Sequence, residues 1–165
     1  MRFKPAYSLL ELLIVIAIMG IIAGTLIPLL GMYAPGIRLS GDAKTLMSAL
    51  RKTQQWSISG EKRFGVNFYP EQNQYRLFRR DVDDITQEIT ITEIETIDLS
   101  SNIEIQEIVF NTEIQNGDPR IQFDSFGAPR NADDEHIQAE ISLINAKGAI
   151  LKIAIRKNTG HISIE

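Results

Sequence analysis

The stretch that decides the fold lies beside the N-terminus, where residues 7–33 read YSLLELLIVIAIMGIIAGTLIPLLGMY. Glu11 is the one charged residue in this stretch, and residues 12–37 carry no charge at all. As a helix, that uncharged run would be about 39 Å long, whereas the hydrocarbon core of a bilayer is about 30 Å thick. The sequence therefore predicts a helix that can span a membrane.

Residues 1–6, which read MRFKPA, precede this helix and carry Arg2 and Lys4. Positive charge on the short N-terminal side places that end in the cytoplasm. A conventional secretory signal peptide has an apolar core of about 7–15 residues, which is shorter than this run. A plain single-pass anchor fits the length and the charges. Neither interpretation explains Glu11.

Glu11 is the informative residue of the segment. A carboxylate in an apolar membrane helix costs a few kcal/mol unless a partner compensates it. Glu11 either lies among the lipid headgroups or meets a positive charge on another subunit. Cleavage between Ala6 and Tyr7 would create such a charge, because the new α-amino group begins the same helix four residues before Glu11.

The run from Ala6 to Glu11, AYSLLE, resembles the prepilin cleavage and methylation motif of type IV pilins and type II secretion pseudopilins. The resemblance implies that a prepilin peptidase cuts after Ala6 and methylates the amine of Tyr7. It also implies that Glu11 neutralises the terminal amine of a neighbouring subunit in a filament. Pro28 falls where pilins usually carry a helix-kinking proline. The family prefers glycine before the cut and phenylalanine or methionine after it, so Ala6 and Tyr7 are conservative departures.

The second part of the helix has a different pattern. Pro28, Gly31, Pro35 and Gly36 predict a kink or a loosened stretch, and residues 38–58 then predict an amphipathic helix. Ser40 or Asp42 is the expected start cap, and Gly60 the expected left-handed residue at the end. The face expected to be buried consists of Leu39, Ala43, Leu46, Leu50, Thr53 and Ser57.

From Phe64 onward, the apolar residues alternate as in β-strands. Eight strands are predicted, at residues 64–69, 75–79, 88–99, 103–110, 120–124, 137–144, 150–156 and 161–164. The isoleucine phase slips between Ile91 and Ile94, which predicts a bulge or break in the third strand. The fold class is therefore α+β, with a long N-terminal helix packed on an antiparallel β-sheet domain.

The C-terminal part resembles the GspH/FimT-type minor pseudopilin branch of the same family. Residues 43–58 with Gly60 and Val66 resemble that branch's helix-to-first-strand signature. Residues 121–123, Gly127, residues 141–143 and residues 160–162 resemble its terminal strands. The resemblance implies a structural subunit of a type II secretion pseudopilus or a type IV pilus. Its implied partners are prepilin peptidase, other pilin or pseudopilin subunits and the bacterial inner membrane.

Composition excludes several other functions. The chain has 165 residues and no cysteine, so disulfides, thiolate chemistry and cysteine zinc sites are ruled out. Leaving out Arg2, Lys4 and Glu11, the 17 basic and 21 acidic residues become 15 and 20. The soluble part then has a net charge of −5, which makes nucleic acid an unlikely partner.

The remaining chemistry-bearing residues are interpreted as ordinary surface groups. His136 and His161 are isolated, and Ser125 lacks the glycines of a nucleophile elbow. The acidic runs are read as solvated turns rather than calcium sites, because neither has the glycine and the distal glutamate of an EF-hand in register; they are Asp81, Asp83 and Asp84, and Asp133, Asp134 and Glu135. We expect no catalytic residue, no metal, no cofactor and no enzymatic activity.

The sequence thus predicts four regions: a leader at residues 1–6, a transmembrane and assembly helix at 7–37, an amphipathic helix at 38–60 and a β-rich domain at 61–165. The N-terminus is expected in the cytoplasm and the domain outside the membrane. One alternative is a DNA-binding minor pilin of natural transformation, which would use two basic strips: Arg76, Arg79 and Arg80, and Lys152, Arg156 and Lys157. Another is a membrane-tethered enzyme or adhesin that carries only the leader.

Overall fold

The structure, a computed structural model, describes residues 9–60, 62–83, 85–111 and 119–165, with the backbone alone for residues 26–32. One helix, α1, covers Leu9–Ser59. Its helical backbone continues through Pro28, Gly31, Pro35 and Gly36, so the expected loosened stretch is not found as a break in the helix. A proline removes a single backbone hydrogen bond, and α1 continues in spite of this loss.

The chain divides into two compact units, Met1–Pro35 and Gly36–Glu165. All the strands of the described residues lie in the second unit. They are β1 (Arg63–Tyr69), β2 (Gln74–Val82), β3 (Ile89–Asp98), β4 (Ile103–Phe110), β5 (Arg120–Phe123), β6 (Pro129–Arg130), β7 (Ala139–Asn145), β8 (Ile150–Ile155) and β9 (Ile162–Ile164), with a 3-10 turn at Pro70–Gln72.

The strands form two antiparallel sheets, with the orders β3-β2-β1-β5-β6 and β4-β7-β8-β9. The α+β fold class, a helix packed on antiparallel sheet, is confirmed. The prediction missed β6, which has only two residues and is too short to show an alternating pattern. The sixth predicted strand, residues 137–144, also starts two residues before the strand it corresponds to, since β7 begins at Ala139.

The predicted face of α1 is the buried one. Its six members are at most 3% exposed and belong to a core shared with both sheets; they are Leu39, Ala43, Leu46, Leu50, Thr53 and Ser57. On the opposite side, Lys44, Arg51 and Lys52 are exposed. Burying a leucine side chain stabilises a fold by about 2 kcal/mol, so this face is a main support of the second unit.

The predicted irregularity in β3 is confirmed as a β-bulge. Leu77 of β2 pairs with Glu95, whereas Phe78 pairs with Glu93, which leaves Ile94 as the extra residue. A bulge of this kind changes the direction of the side chains that follow it. In this strand, Glu95 bonds Lys52 of the helix, with its carboxylate 2.8 Å from the ammonium group.

The expectations for the helix ends were wrong. Ser40 and Asp42 do not cap a helix start, because α1 already runs through them. Asp42 instead accepts hydrogen bonds from the amide and the hydroxyl of Ser100, at 2.8 and 2.9 Å. Gly60 follows the helix and donates its N–H to the Trp56 carbonyl at 3.0 Å, but it does not have the positive φ found at Gly127, Gly148 and Gly160.

Candidate functional site

The residues predicted to carry the function lie at the N-terminal end of the chain. Ala6 and Tyr7 fall outside the described residues. Glu11 lies in the first turn of α1, where its side chain is exposed. Pro28 lies in helical backbone, and its side chain is not described. The structure therefore places Glu11 on the helix but does not show it beside the predicted cleavage site.

Residues 9–25 of α1, called the inner segment below, bury nothing. The large apolar side chains in this segment are between 43% and 82% exposed, from Val15 to Leu9. Adding a Cβ at Gly20 or Gly24 would meet no atom within 4 Å. A helix that is apolar on every side is stable only when something else covers it. The inner segment is therefore a surface that needs partners.

Within the described residues, no helix is both long enough and apolar enough to cross a membrane.

Residues 38–59, called the outer segment, hold the sheets of the second unit together. The Gln54 amide donates to the Gly127 carbonyl at 2.8 Å and to the Gly160 carbonyl at 2.9 Å. Arg51 donates to the carbonyl of Ile162 at 3.0 Å. Gly127 lies between β5 and β6 of the five-stranded sheet, and Gly160 precedes β9 of the four-stranded sheet, so one glutamine joins connections of both sheets.

The close approach of Gly127 and Gln54 to Gly160 explains why this position is a glycine. Its φ is +60°, a region that L-residues with a side chain rarely occupy. A Cβ at this position would also overlap the Gly127 carbonyl oxygen and the Gln54 amide nitrogen. The sequence pattern assigns no common role to Gly160 and Gln54. Their contact joins residues 106 positions apart, which no local pattern reveals.

Asp124 organises the turn that presents Gly127. Its buried carboxylate accepts hydrogen bonds from the amides of Phe126 and Ala128, at 3.0 and 2.9 Å, and from Arg130 at 3.0 Å. Burial alone would raise the pKa of Asp124, but these donors together lower it below the ordinary aspartate value. The neighbouring Ser125 is exposed. This aspartate has a structural role in the turn.

Of the first acidic run weighed for calcium, Asp81 and Asp83 have protein partners, and Asp84 lies outside the described residues. Asp81 is bonded by Lys62 and Arg79, each at 2.7 Å, and these two cations lower its pKa. The Asp83 carboxylate accepts hydrogen bonds from the backbone amides of Ile85 and Thr86. Among the residues the structure describes, no group of three or more His, Asp or Glu side chains is placed to hold a metal ion.

The two histidines and the predicted basic strips are surface groups. His161 is exposed, and the Nε2 atom of His136 lies 2.9 Å from the Arg130 guanidinium. Most members of the basic strips have a carboxylate partner: Arg76 pairs with Glu93, Arg79 with Asp81, Lys152 with Glu140 and Arg156 with Glu165. The positive charge available to a phosphate backbone is correspondingly small.

Comparison with known proteins finds one sequence motif that this chain shares with a known family model. Residues 1–27 match the family model described as the prokaryotic N-terminal methylation motif. No curated protein matches the chain significantly.

Solved structures share the fold. The minor pseudopilin EpsH from the type 2 secretion system of Vibrio cholerae aligns with a TM-score of 0.54 and 12% identity, over 78% of this chain and 96% of its own. The type IV minor pilin FimU of Pseudomonas aeruginosa aligns with a TM-score of 0.54 and 11% identity, over 81% of this chain and 92% of its own. At such low identity, these likenesses establish the fold. The chain thus combines a match to the N-terminal methylation motif with a fold similar to that of a minor pseudopilin and a type IV minor pilin.

Proposed function

We propose that this chain is a minor subunit, of the GspH/FimT-like kind, in a type II secretion pseudopilus or a type IV pilus. The observation that carries the proposal is the contrast along α1. The inner segment exposes its apolar side chains on every side, whereas the outer segment has a buried face and a complete core around it. A helix of the first kind requires lipid or other helices as its environment, and a filament core supplies the latter.

The proposed maturation begins with removal of residues 1–6 by prepilin peptidase and methylation of the amine of Tyr7. Before assembly, residues 7–37 span the bacterial inner membrane, with Arg2 and Lys4 on the cytoplasmic side. Residues 38–60 and the β-rich domain at 61–165 then lie outside the membrane, in the periplasm. The match of residues 1–27 to the methylation motif supports this order of events.

The proposed assembly step pairs Glu11 with the terminal amine of a neighbouring subunit. Glu11 is exposed and makes no hydrogen bond or ion pair with any residue that the structure describes. Two opposite charges attract far more strongly among apolar side chains than in water, and an unpaired carboxylate in that environment is costly. The pair would therefore both attract the incoming subunit and fix its position along the helix axis.

Neither alternative gains support from the described residues. A DNA-binding role would require a surface with unneutralised cations, yet four of the six candidate cations are paired with carboxylates. A membrane-tethered enzyme would need converging reactive groups, and the described part of the chain shows aspartates and histidines engaged in turns and ion pairs. The chain is proposed to act structurally.

The test is incorporation of Glu11 variants into filaments sheared from bacteria that assemble them. We expect Glu11→Gln to reduce the amount of this chain in the sheared fraction by roughly tenfold, the effect of losing about 1.4 kcal/mol. Glu104→Gln is the matched control, because Glu104 is an exposed carboxylate on β4. If Glu11→Gln and Glu104→Gln are incorporated equally well, the proposed role of Glu11 is wrong.

A further inference from the structure

A charged groove of about 700 Å³ lies beside the ends of β1 and β2. Its walls include both signs of charge, from Lys62, Arg63, Arg80, Asp81, Asp83 and Asp134. None of these residues belongs to the inner segment or to the surface of α1. The groove is therefore a feature of the β-rich domain that the proposed function does not use.

The carboxylates of the groove are already engaged. Asp81 is bonded by Lys62 and Arg79, and Asp83 accepts two backbone amides of its own turn. Asp134 pairs with Arg63 and lies 3.7 Å from Arg130. Each acid of the groove thus has at least one donor, and two of them have cationic partners.

Arg80 is the exception among the cations of the groove. It is half-buried on β2, directly opposite Arg63 of β1 in the strand register. The Arg80 side chain forms no hydrogen bond and no ion pair with any residue that the structure describes. Burial and the nearby guanidinium groups of Arg63 and Arg120 lower its pKa, and the carboxylate of Asp134 opposes this only in part. A partly desolvated guanidinium near like charges is less stable than one that is hydrogen-bonded to an anion.

We propose that Arg80 binds a carboxylate side chain of a neighbouring filament subunit, which enters the groove. The inference rests on the proposed function, since it takes the partner from the same filament. Arginine presents a planar fork of N–H donors that matches a carboxylate in two parallel hydrogen bonds. Cross-strand Arg63 lies beside this fork, although its own charge is shared with Asp134.

The groove favours a single carboxylate over a polyanion. Asp81, Asp83 and Asp134 also line the groove and would repel the successive phosphates of a nucleic acid. The soluble part of the chain also has a net charge of −5, from 15 basic and 20 acidic residues, which weakens long-range attraction of DNA. One protein carboxylate needs only the local positive potential at Arg80.

The experiment is photocrosslinking in filament-forming cells, with p-benzoylphenylalanine replacing Val82. Val82 lines the groove and is 45% exposed, so the probe reaches whatever enters. We expect an adduct that mass spectrometry identifies as another pilin-family subunit. Arg80→Gln should reduce that adduct about tenfold, which corresponds to about 1.4 kcal/mol, because the charge-assisted bidentate pair is lost.

Arg156→Gln is the matched control. Arg156 is an exposed arginine that directly follows β8 of the four-stranded sheet and lies near Glu165. This variant should leave the adduct unchanged. An adduct that survives Arg80→Gln, an adduct to DNA, or no adduct to a family subunit would each overturn the inference. Cleavage of the leader and incorporation into sheared filaments are measured in the same cells. If leader cleavage and incorporation are normal but no adduct depends on Arg80, the inference about the groove is wrong and the proposed function is unaffected.

Thermal unfolding of the purified full chain in detergent provides a second measurement. Because Arg80 has no partner among the described residues of its own chain, Arg80→Gln should keep or slightly raise the melting temperature. A fall of several degrees would show that Arg80 is already bound by a carboxylate of its own chain. The inference would then be wrong whatever the crosslinking result.

Discussion

The inner and outer segments of α1 are parts of one helix with opposite relations to water. In the outer segment, apolar positions recur on one side and are at most 3% exposed at Leu39, Leu46 and Leu50. In the inner segment, the most covered large side chain, Val15, is still 43% exposed. The outer segment therefore completes its packing within its own chain, and the inner segment does not.

Charge distribution explains the difference. The outer segment carries Lys44, Arg51 and Lys52 on the side opposite its buried face, as expected for a helix at the surface of a domain. The inner segment carries Glu11 alone. A single carboxylate cannot make a helix soluble when every other side is apolar. The comparison teaches that exposed apolar side chains on every side of one part of a helix distinguish it from a part that packs on its own domain.

The largest expected effect is on the free energy of unfolding, and it comes from a core substitution that distinguishes the outer segment from the inner segment. Leu50→Ala should lower the free energy of unfolding of the β-rich domain by about 3 kcal/mol, because it removes buried methyl groups and leaves a cavity. Ile16→Ala in the inner segment is the matched substitution, since Ile16 is 59% exposed. Urea unfolding of the full chain in detergent, followed by the fluorescence of Trp56, measures both.

Equal losses for Leu50→Ala and Ile16→Ala would contradict the comparison, because the inner segment would then contribute to the folding of the domain.

A smaller effect is expected from the polar contacts of the outer segment. Gln54→Ala removes the amide that donates to the carbonyls of Gly127 and Gly160, and should destabilise the domain by about 2 kcal/mol. Gln55→Ala is the control, because Gln55 is the next residue and is exposed. Hydrogen exchange should show faster exchange at the amide of Gly160 in the first variant. Identical stabilities of the two variants would mean that Gln54 does not join the sheets.

The smallest effect is a dependence on pH. The pKa of Asp124 is lower in the folded chain than the ordinary value of about 3.9. Its contribution to stability is therefore complete above pH of about 4 and is lost as the pH falls through the folded-state pKa. Asp124→Asn should be less stable than the unmodified chain at pH 7, with the gap narrowing under acidic conditions. A gap that widens on acidification would contradict this assignment.

Much of the fold could be predicted because local patterns determine it. The buried face of the outer segment follows from a helical period, and the bulge at Ile94 follows from a slip in the isoleucine phase. The strands were predicted to within a few residues for the same reason. The expected start cap at Asp42 was wrong, because α1 begins far upstream and passes through this residue. The amphipathic pattern shows only where one face of the helix becomes buried.

Contacts between distant residues could not be predicted. Asp42 bonds Ser100, 58 residues away, and Arg51 bonds Ile162, 111 residues away. The division of the strands into two sheets likewise depends on the register of strands. So does the place of Arg80 in its groove, where its guanidinium has no partner among the described residues. The methylation motif is the exception among functional signals, since it is a short linear sequence within residues 1–27.

The most direct test of the account is the intact mass of the full chain after co-expression with a prepilin peptidase. The account predicts loss of residues 1–6 and one methyl group on the amine of Tyr7, because the shortened chain would then begin with the positive charge that Glu11 requires. A chain that remains uncut, or one cut beyond Pro28, would contradict the account. The inner segment would then be an ordinary membrane anchor or a signal peptide, and its exposed apolar surface would need no filament.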